Sequence, residues 1–256
     1  MATNGGTESD NPYLQLKEDE SLDDLLLGGM RIIQPKAGYR FSMDAVWLSH
    51  FVAPDQSGVI VDLGSGNGVI PILLSFLHPR SKIIGVEIQP QMVRRSQRSI
   101  ELNRLGERIR IIQADIRELE AVIKAGSADC VVSNPPFWKP EEGRINSNPE
   151  AALARHELEL NLEQLVEQAA RLLVPRGRFF MIHRPERLPE ILTAMQSRHL
   201  QPVRLRSVHT ETGQPASLLL LEAQKSGKGP LEISPPLYVR CSGGDWSEEI
   251  RAWYNR

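Results

Sequence analysis

From residue 58 to residue 183 the chain alternates between short runs that are apolar at nearly every position and longer runs in which apolar residues recur every three or four positions. The short runs are GVIVDLG (58–64), KIIGVE (82–87), IRIIQA (109–114), ADCVVS (128–133) and GRFFMIH (177–183). The longer ones pass through GVIPILLSFLH, QPQMVRRSQRSIELNRLG (89–106, closed by Gly106) and LEQLVEQAARLLV. A strand apolar on both faces must be covered on both, and strands separated by helices pair in parallel. Beyond them, ERLPEILTAMQSR reads as a helix, and QPVRLRSVH and ASLLLLEAQ as a closing antiparallel pair. The predicted fold is therefore α/β: a seven-stranded, mostly parallel, doubly wound sheet with an antiparallel strand pair at one side.

The flanks carry less pattern. Residues 1–20 are polar and are expected to be a disordered tail. In residues 21–54, LDDLLLGGMRIIQP predicts two short strands around a Gly28-Gly29 turn. FSMDAVWLSHF predicts a helix capped by Ser42, with apolar positions at Val46, Trp47 and Phe51. Residues 55–225 form the expected core. Residues 226–256 are punctuated by Gly and Pro around LYVR and end in a short helix, SEEIRAWYN.

Composition narrows the class of protein. The 256 residues are 41% hydrophobic and 24% charged, which is ordinary for a globular chain. A formal net charge of −2 supplies no general basic field, so any nucleic-acid contact must come from a local patch. Cys130 and Cys241 are the only cysteines and form no CxxC pair, so neither a zinc site nor a disulfide framework is expected. No apolar run approaches the roughly 18 residues that span a bilayer, and the N-terminus has no signal-peptide pattern. A cytoplasmic protein is the expectation.

In an open parallel sheet, ligands lie at the carboxyl ends of the strands. The first strand ends in DLGSGNG, with Asp62, Gly64, Gly66 and Gly68; the second ends in Glu87; the third leads into Asp115 and the fourth into Asn134. The spacing resembles a dinucleotide fingerprint, but the position that needs a third spaced glycine is Val69. Three carboxylates with no lysine or arginine among them would also repel a pyrophosphate. They suit a cationic sulfonium nucleoside without phosphates, which is S-adenosylmethionine. Single acids at strand ends often cap helices; three in register with a glycine loop suggest a site.

At these residues the sequence resembles the class I S-adenosylmethionine-dependent methyltransferases, over roughly residues 35–225. DLGSGNG is similar to that family's first motif, and Glu87 and Asp115 stand at its next acidic positions. The resemblance implies that the glycine loop holds the methionine and ribose portions, Glu87 the ribose hydroxyls and Asp115 the adenine amino group. GYRFSMDA resembles the family's upstream segment, which places Phe41 and Asp44 over the methionine moiety.

The fourth strand runs into NPPFWKP. NPPF resembles the [ND]PP[YF] signature of enzymes that methylate a planar amine or amide nitrogen. The lone pair of such a nitrogen is delocalised. The Asn134 amide oxygen and the Pro135 carbonyl can accept both of its N–H groups and turn the lone pair toward the methyl donor, a positional and electrostatic effect. Pro136 stiffens the turn, Phe137 offers a stacking face and Trp138 widens it. The segments LLLGGMRIIQPKAGYRFSMDAVWLSHFV, NPPFWKPEEGRINSNPEAALARHE and RLLVPRGRFFMIHRPERLPEI together resemble a bacterial group, the tRNA1(Val) (adenine-N6)-methyltransferases, which act on the adenine 3′ of the anticodon. The resemblance implies an anticodon-loop tRNA partner and no metal. Lys36, Arg40, Lys139, Arg144 and Arg155 are candidate phosphate contacts, with residues 137–158 as a loop over the substrate. Arg94, Arg95 and Arg98 read better as a solvated helix face, and His156, His183 and Arg184 as orienting groups. The rival readings are an N5-glutamine methyltransferase of the release-factor type, another N6-adenine methyltransferase acting on rRNA or DNA, and an RNA-binding or assembly factor that merely retains the nucleoside pocket.

Overall fold

The hairpin expected near the N-terminus forms from β1 (Glu20–Asp24) and β2 (Arg31–Pro35), paired antiparallel with Leu22 opposite Ile33. Gly28 and Gly29, at φ +58° and +68°, close the connection, and the Met30 amide donates to the Leu27 carbonyl at 3.0 Å. This arrangement comes from a computed structural model that describes residues 15–37, 40–53, 58–136 and 161–254.

The expected alternation follows. Helix α1 (Met43–Phe51) precedes β3 (Val59–Leu63), α2 (Val69–Leu77), β4 (Lys82–Glu87), α3 (Pro90–Leu102) and β5 (Ile109–Gln113). After a 3-10 turn at Ile116–Ala121 come β6 (Ala128–Ser133), α4 (Leu162–Leu172), β7 (Leu173–His183), α5 (Leu188–Ser197), β8 (Leu200–Glu211) and β9 (Ala216–Lys225). The start of α4 is set by a capping box: Asn161 accepts from the Gln164 amide at 2.8 Å, and Gln164 accepts in return from the Asn161 amide.

The central seven strands lie in the order β8-β9-β7-β6-β3-β4-β5. β3, β4, β5, β6 and β7 are mutually parallel; β9 runs antiparallel to both β7 and β8. The seven strands are those the sequence predicts. The C-terminal segment adds two more, β10 (Glu232–Ile233) and β11 (Leu237–Arg240), each parallel to β8. A last helix, α6 (Glu248–Tyr254), packs back on α1, with Trp253 stacked on His50 at 4.3 Å between ring centroids.

Each face of the sheet has its own buried cluster. One joins Ile60, Cys130, Val132 and Phe180 to Leu48 and Phe51 of α1, Ile72 of α2, Ile32 of the hairpin and Trp253 of α6. The other joins Val61, Leu63, Val131 and Phe179 to Leu165 and Ala169 of α4 and Ile191 of α5. Alternate residues of one strand serve opposite clusters, which is why these strands read as unbroken apolar runs.

Two local expectations need correcting. Helix α3 ends at Leu102, with Asn103 as its C-cap and Arg104 in the left-handed region at φ 57°; Gly106, the expected stop, does not have that conformation. Ser42 precedes α1 as expected, but its hydroxyl bonds the Asp44 carboxylate instead of capping a backbone amide.

Candidate active site

Strands β3 and β6 are neighbours, and Asp62 lies opposite Val132. The glycine turn after β3 and the Asn-Pro-Pro segment after β6 therefore leave the sheet side by side. Gly64, Gly66 and Gly68 have φ of +83°, +54° and +85°, so the turn needs residues without a Cβ penalty. At Gly68 space is also short: a Cβ there would meet the Cβ of Ser96 on α3 at 2.7 Å.

The three strand-end carboxylates have three different environments. Asp62 is fully buried, and neither of its oxygens has a hydrogen-bond partner. Burial first, then the negative charge of nearby Glu87, push it well above the usual carboxylate range. Glu87 accepts from the Gly66 amide at 2.8 Å and from the Gln89 amide at 2.9 Å. Asp115 accepts from the backbone and guanidinium of Arg117, at 2.8 Å and 2.6 Å, and this hydrogen bonding holds its carboxyl below the usual range. The expectation of three acids without a basic neighbour is thus corrected at Asp115. Arg117, two residues away, comes back onto Asp115 because Asp115 caps a 3-10 turn, which an extended chain would not allow.

The upstream segment reaches the same place. The Phe41 amide donates to Gln34 Oε1 at 2.8 Å, which ties the segment to the hairpin, and Phe41 packs partly buried against the core. Asp44, in the first turn of α1, is buried, and Asn134 Nδ2 donates to its Oδ2 at 3.3 Å. Burial raises the Asp44 pKa, and the Asn134 bond opposes that rise. Pro135 is half-buried and Pro136 exposed at the end of the described segment. At the carboxyl ends of the parallel strands the structure thus joins Asp44 to Asn134, and Glu87 to the glycine turn and to buried Asp62, while Asp115 follows β5 and Phe41 precedes α1. Phe137, Trp138, Lys139, Arg144, Arg155 and His156 lie outside the described residues.

The other basic candidates have different surroundings. Lys36 donates to the Glu18 carbonyl at 2.8 Å, and Arg40 bonds Ser21 and the Pro35 carbonyl, both at 2.9 Å, so these side chains fasten the hairpin. Arg94 is exposed as expected of a solvated face. Arg95 and Arg98 are not part of that face: both reach buried Glu20 of β1, Arg98 at 2.7 Å. His183 ends β7, buried, with Nδ1 accepting from the Arg184 amide at 2.8 Å. Among the described residues no group of His, Cys, Asp or Glu could hold a metal ion, and no helix is long and apolar enough to cross a membrane.

A parallel sheet in this order, a glycine turn beside a buried carboxylate with free acceptors and an Asn-Pro-Pro segment on the next strand define an S-adenosylmethionine-dependent methyltransferase. Comparison with known proteins agrees. The family model described as "Methyltransferase small domain" matches residues 44–201, and the chain belongs to that family. A tRNA1(Val) (adenine(37)-N6)-methyltransferase of Porphyromonas gingivalis is 31% identical over 70% of this chain and 72% of its own. The enzyme of the same name from Tolumonas auensis is 28% identical over 74% of this chain and 78% of its own. Among solved structures, a predicted O-methyltransferase from Agrobacterium tumefaciens superposes with a TM-score of 0.69 at 23% identity, over 83% of this chain and 96% of that one, and so shares the fold. The resemblance read from the sequence is borne out.

Proposed function

We propose that this enzyme transfers a methyl group from S-adenosylmethionine to the exocyclic N6 amine of an adenine in tRNA, namely adenine 37, next to the anticodon of tRNA-Val. The observation that carries this reading is the placement of Asn134, at the end of β6, beside the glycine turn that ends β3. The names of the relatives support adenine 37 as the target.

The residues present suit the donor. Asp62 has two buried acceptor oxygens with nothing to accept from, the complement of a cationic ligand with N–H groups. In this reading the glycine turn takes the ligand against backbone, Glu87 accepts from the ribose hydroxyls and Asp115 from the adenine amino group. Phe41 and Asp44 border the methionine end. When bound, S-adenosylmethionine supplies an electrophilic methyl on a positive sulfur.

The protein's part is to orient the acceptor. Asn134 Oδ1 and the Pro135 carbonyl accept the two amine hydrogens, so the nitrogen lone pair is no longer held wholly in the ring plane. Phe137 stacks on the base, and Lys139, Arg144 and Arg155 contact phosphates. An unpaired loop adenine reaches such a pocket at a modest unstacking cost. In this reading residues 55–225 are the catalytic core, with 21–54 and 226–256 as extensions, and the site of action is the cytoplasm.

Nucleoside mass spectrometry tests the reading. Incubation of the protein with S-adenosylmethionine and tRNA from a strain that lacks adenine-37 methylation should produce N6-methyladenosine in tRNA-Val. Methyl transfer to a release-factor glutamine, or to no acceptor, would overturn it.

A further inference from the structure

An asparagine amide has two ends of nearly equal shape and opposite function: one oxygen that accepts and one NH2 that donates. Rotation by half a turn exchanges them. Only one orientation of Asn134 can accept a hydrogen from an amine, so something must select it.

We propose that Asp44 is the positioning residue that makes this selection, by holding the NH2 end of Asn134 so that Oδ1 is left to the substrate. Three observations support the assignment. Asp44 Oδ2 receives Asn134 Nδ2 at 3.3 Å, across 90 residues of sequence. The other carboxylate oxygen, Oδ1, receives the Ser42 hydroxyl, so the carboxylate is held from both sides. Asp44 is buried on α1, whose Ala45, Val46, Leu48 and Phe51 are in the core, so the carboxylate cannot swing away without moving the helix.

The chemistry is one-sided. A carboxylate accepts and never donates, so the reversed amide would set oxygen against oxygen in a buried place. The pair thus works as a one-way key. The upstream segment does not only border the donor; it fixes which face of the amide the acceptor meets. The inference rests on the methyltransferase reading but is separable from it.

Exchanging the two side chains tests the inference. Asn134→Asp sets two carboxylates together and should reduce kcat at least a hundredfold. Asp44→Asn frees the amide to rotate and should lower kcat about tenfold, a loss that saturating S-adenosylmethionine does not restore. The double variant, Asp44→Asn with Asn134→Asp, restores a donor facing an acceptor and should regain at least tenfold over Asn134→Asp. No recovery in the double variant, or an Asp44→Asn loss lying wholly in donor affinity, would overturn the proposal. A second measurement needs neither RNA nor a stable variant: in the wild-type protein the side-chain NH2 protons of Asn134 should show slowed solvent exchange by NMR, and free exchange would overturn the assignment. Failure of the wild type to methylate adenine would sink the proposed function and leave this NMR result to be judged by itself.

Discussion

The carboxylate of Glu87, at the end of β4, holds the backbone amide of Gly66, in the turn after β3, at 2.8 Å. Its other oxygen holds the Gln89 amide at 2.9 Å. One side chain thus fixes both the glycine turn and the entry to α3. Glu87→Ala should lower the affinity for S-adenosylmethionine by at least about tenfold, since the turn loses its tie to β4 and the donor loses one charged acceptor, worth about 1.5–3 kcal/mol. Titration calorimetry of wild type and variant checks this.

Asp62 predicts effects of opposite sign on stability and binding. Its buried, unpartnered carboxyl costs the free protein stability. Asp62→Asn should therefore raise the melting temperature of the ligand-free protein while weakening donor binding. A variant with both quantities lowered would show that Asp62 serves the fold alone.

The N-terminal hairpin is anchored through Glu20, buried between Arg95 and Arg98 of α3. Glu20→Ala leaves two guanidinium groups facing a void and should destabilise the protein by about 3 kcal/mol. Urea unfolding followed by circular dichroism measures it, with Glu20→Gln expected to cost less because an acceptor remains.

His183 gives a pH dependence. Burial, followed by the positive charges of Arg187 and Arg184, lowers its pKa to about 4 from an ordinary 6.5. Between those values the unfolded chain binds a proton that the folded protein refuses, so stability falls as pH drops from 6.5 toward 4. The loss amounts to about 3 kcal/mol at most, from a shift of roughly 2.5 pKa units. Urea midpoints at pH 7 and pH 4.5 should differ more in the wild type than in His183→Gln.

Much of this molecule is legible in its sequence. GVIVDLG and ADCVVS announce buried parallel strands because nothing else keeps both faces of a strand apolar, and the glycines of DLGSGNG announce a turn through left-handed backbone conformations. What escapes is pairing across distance. Nothing local tells Glu20 that Arg98 awaits it 78 residues later, or Asp44 that Asn134 does so after 90. Charge type alone is also silent about partners: Arg40 and Lys36 read as phosphate ligands, and nothing local shows that they also bond Ser21 and the Glu18 carbonyl. The end of α3 escapes for a different reason, because Arg104 takes the left-handed turn that a glycine was expected to supply.

The last helix rests on the first: Trp253 stacks on His50, and the Tyr254 hydroxyl meets Met43 Sδ at 3.4 Å. The packing of α1 therefore draws on residues far along the chain. Loss of Trp253 and Tyr254 would leave the element bearing Asp44 without this support, so the placement of Asp44 depends on a helix remote from it in sequence.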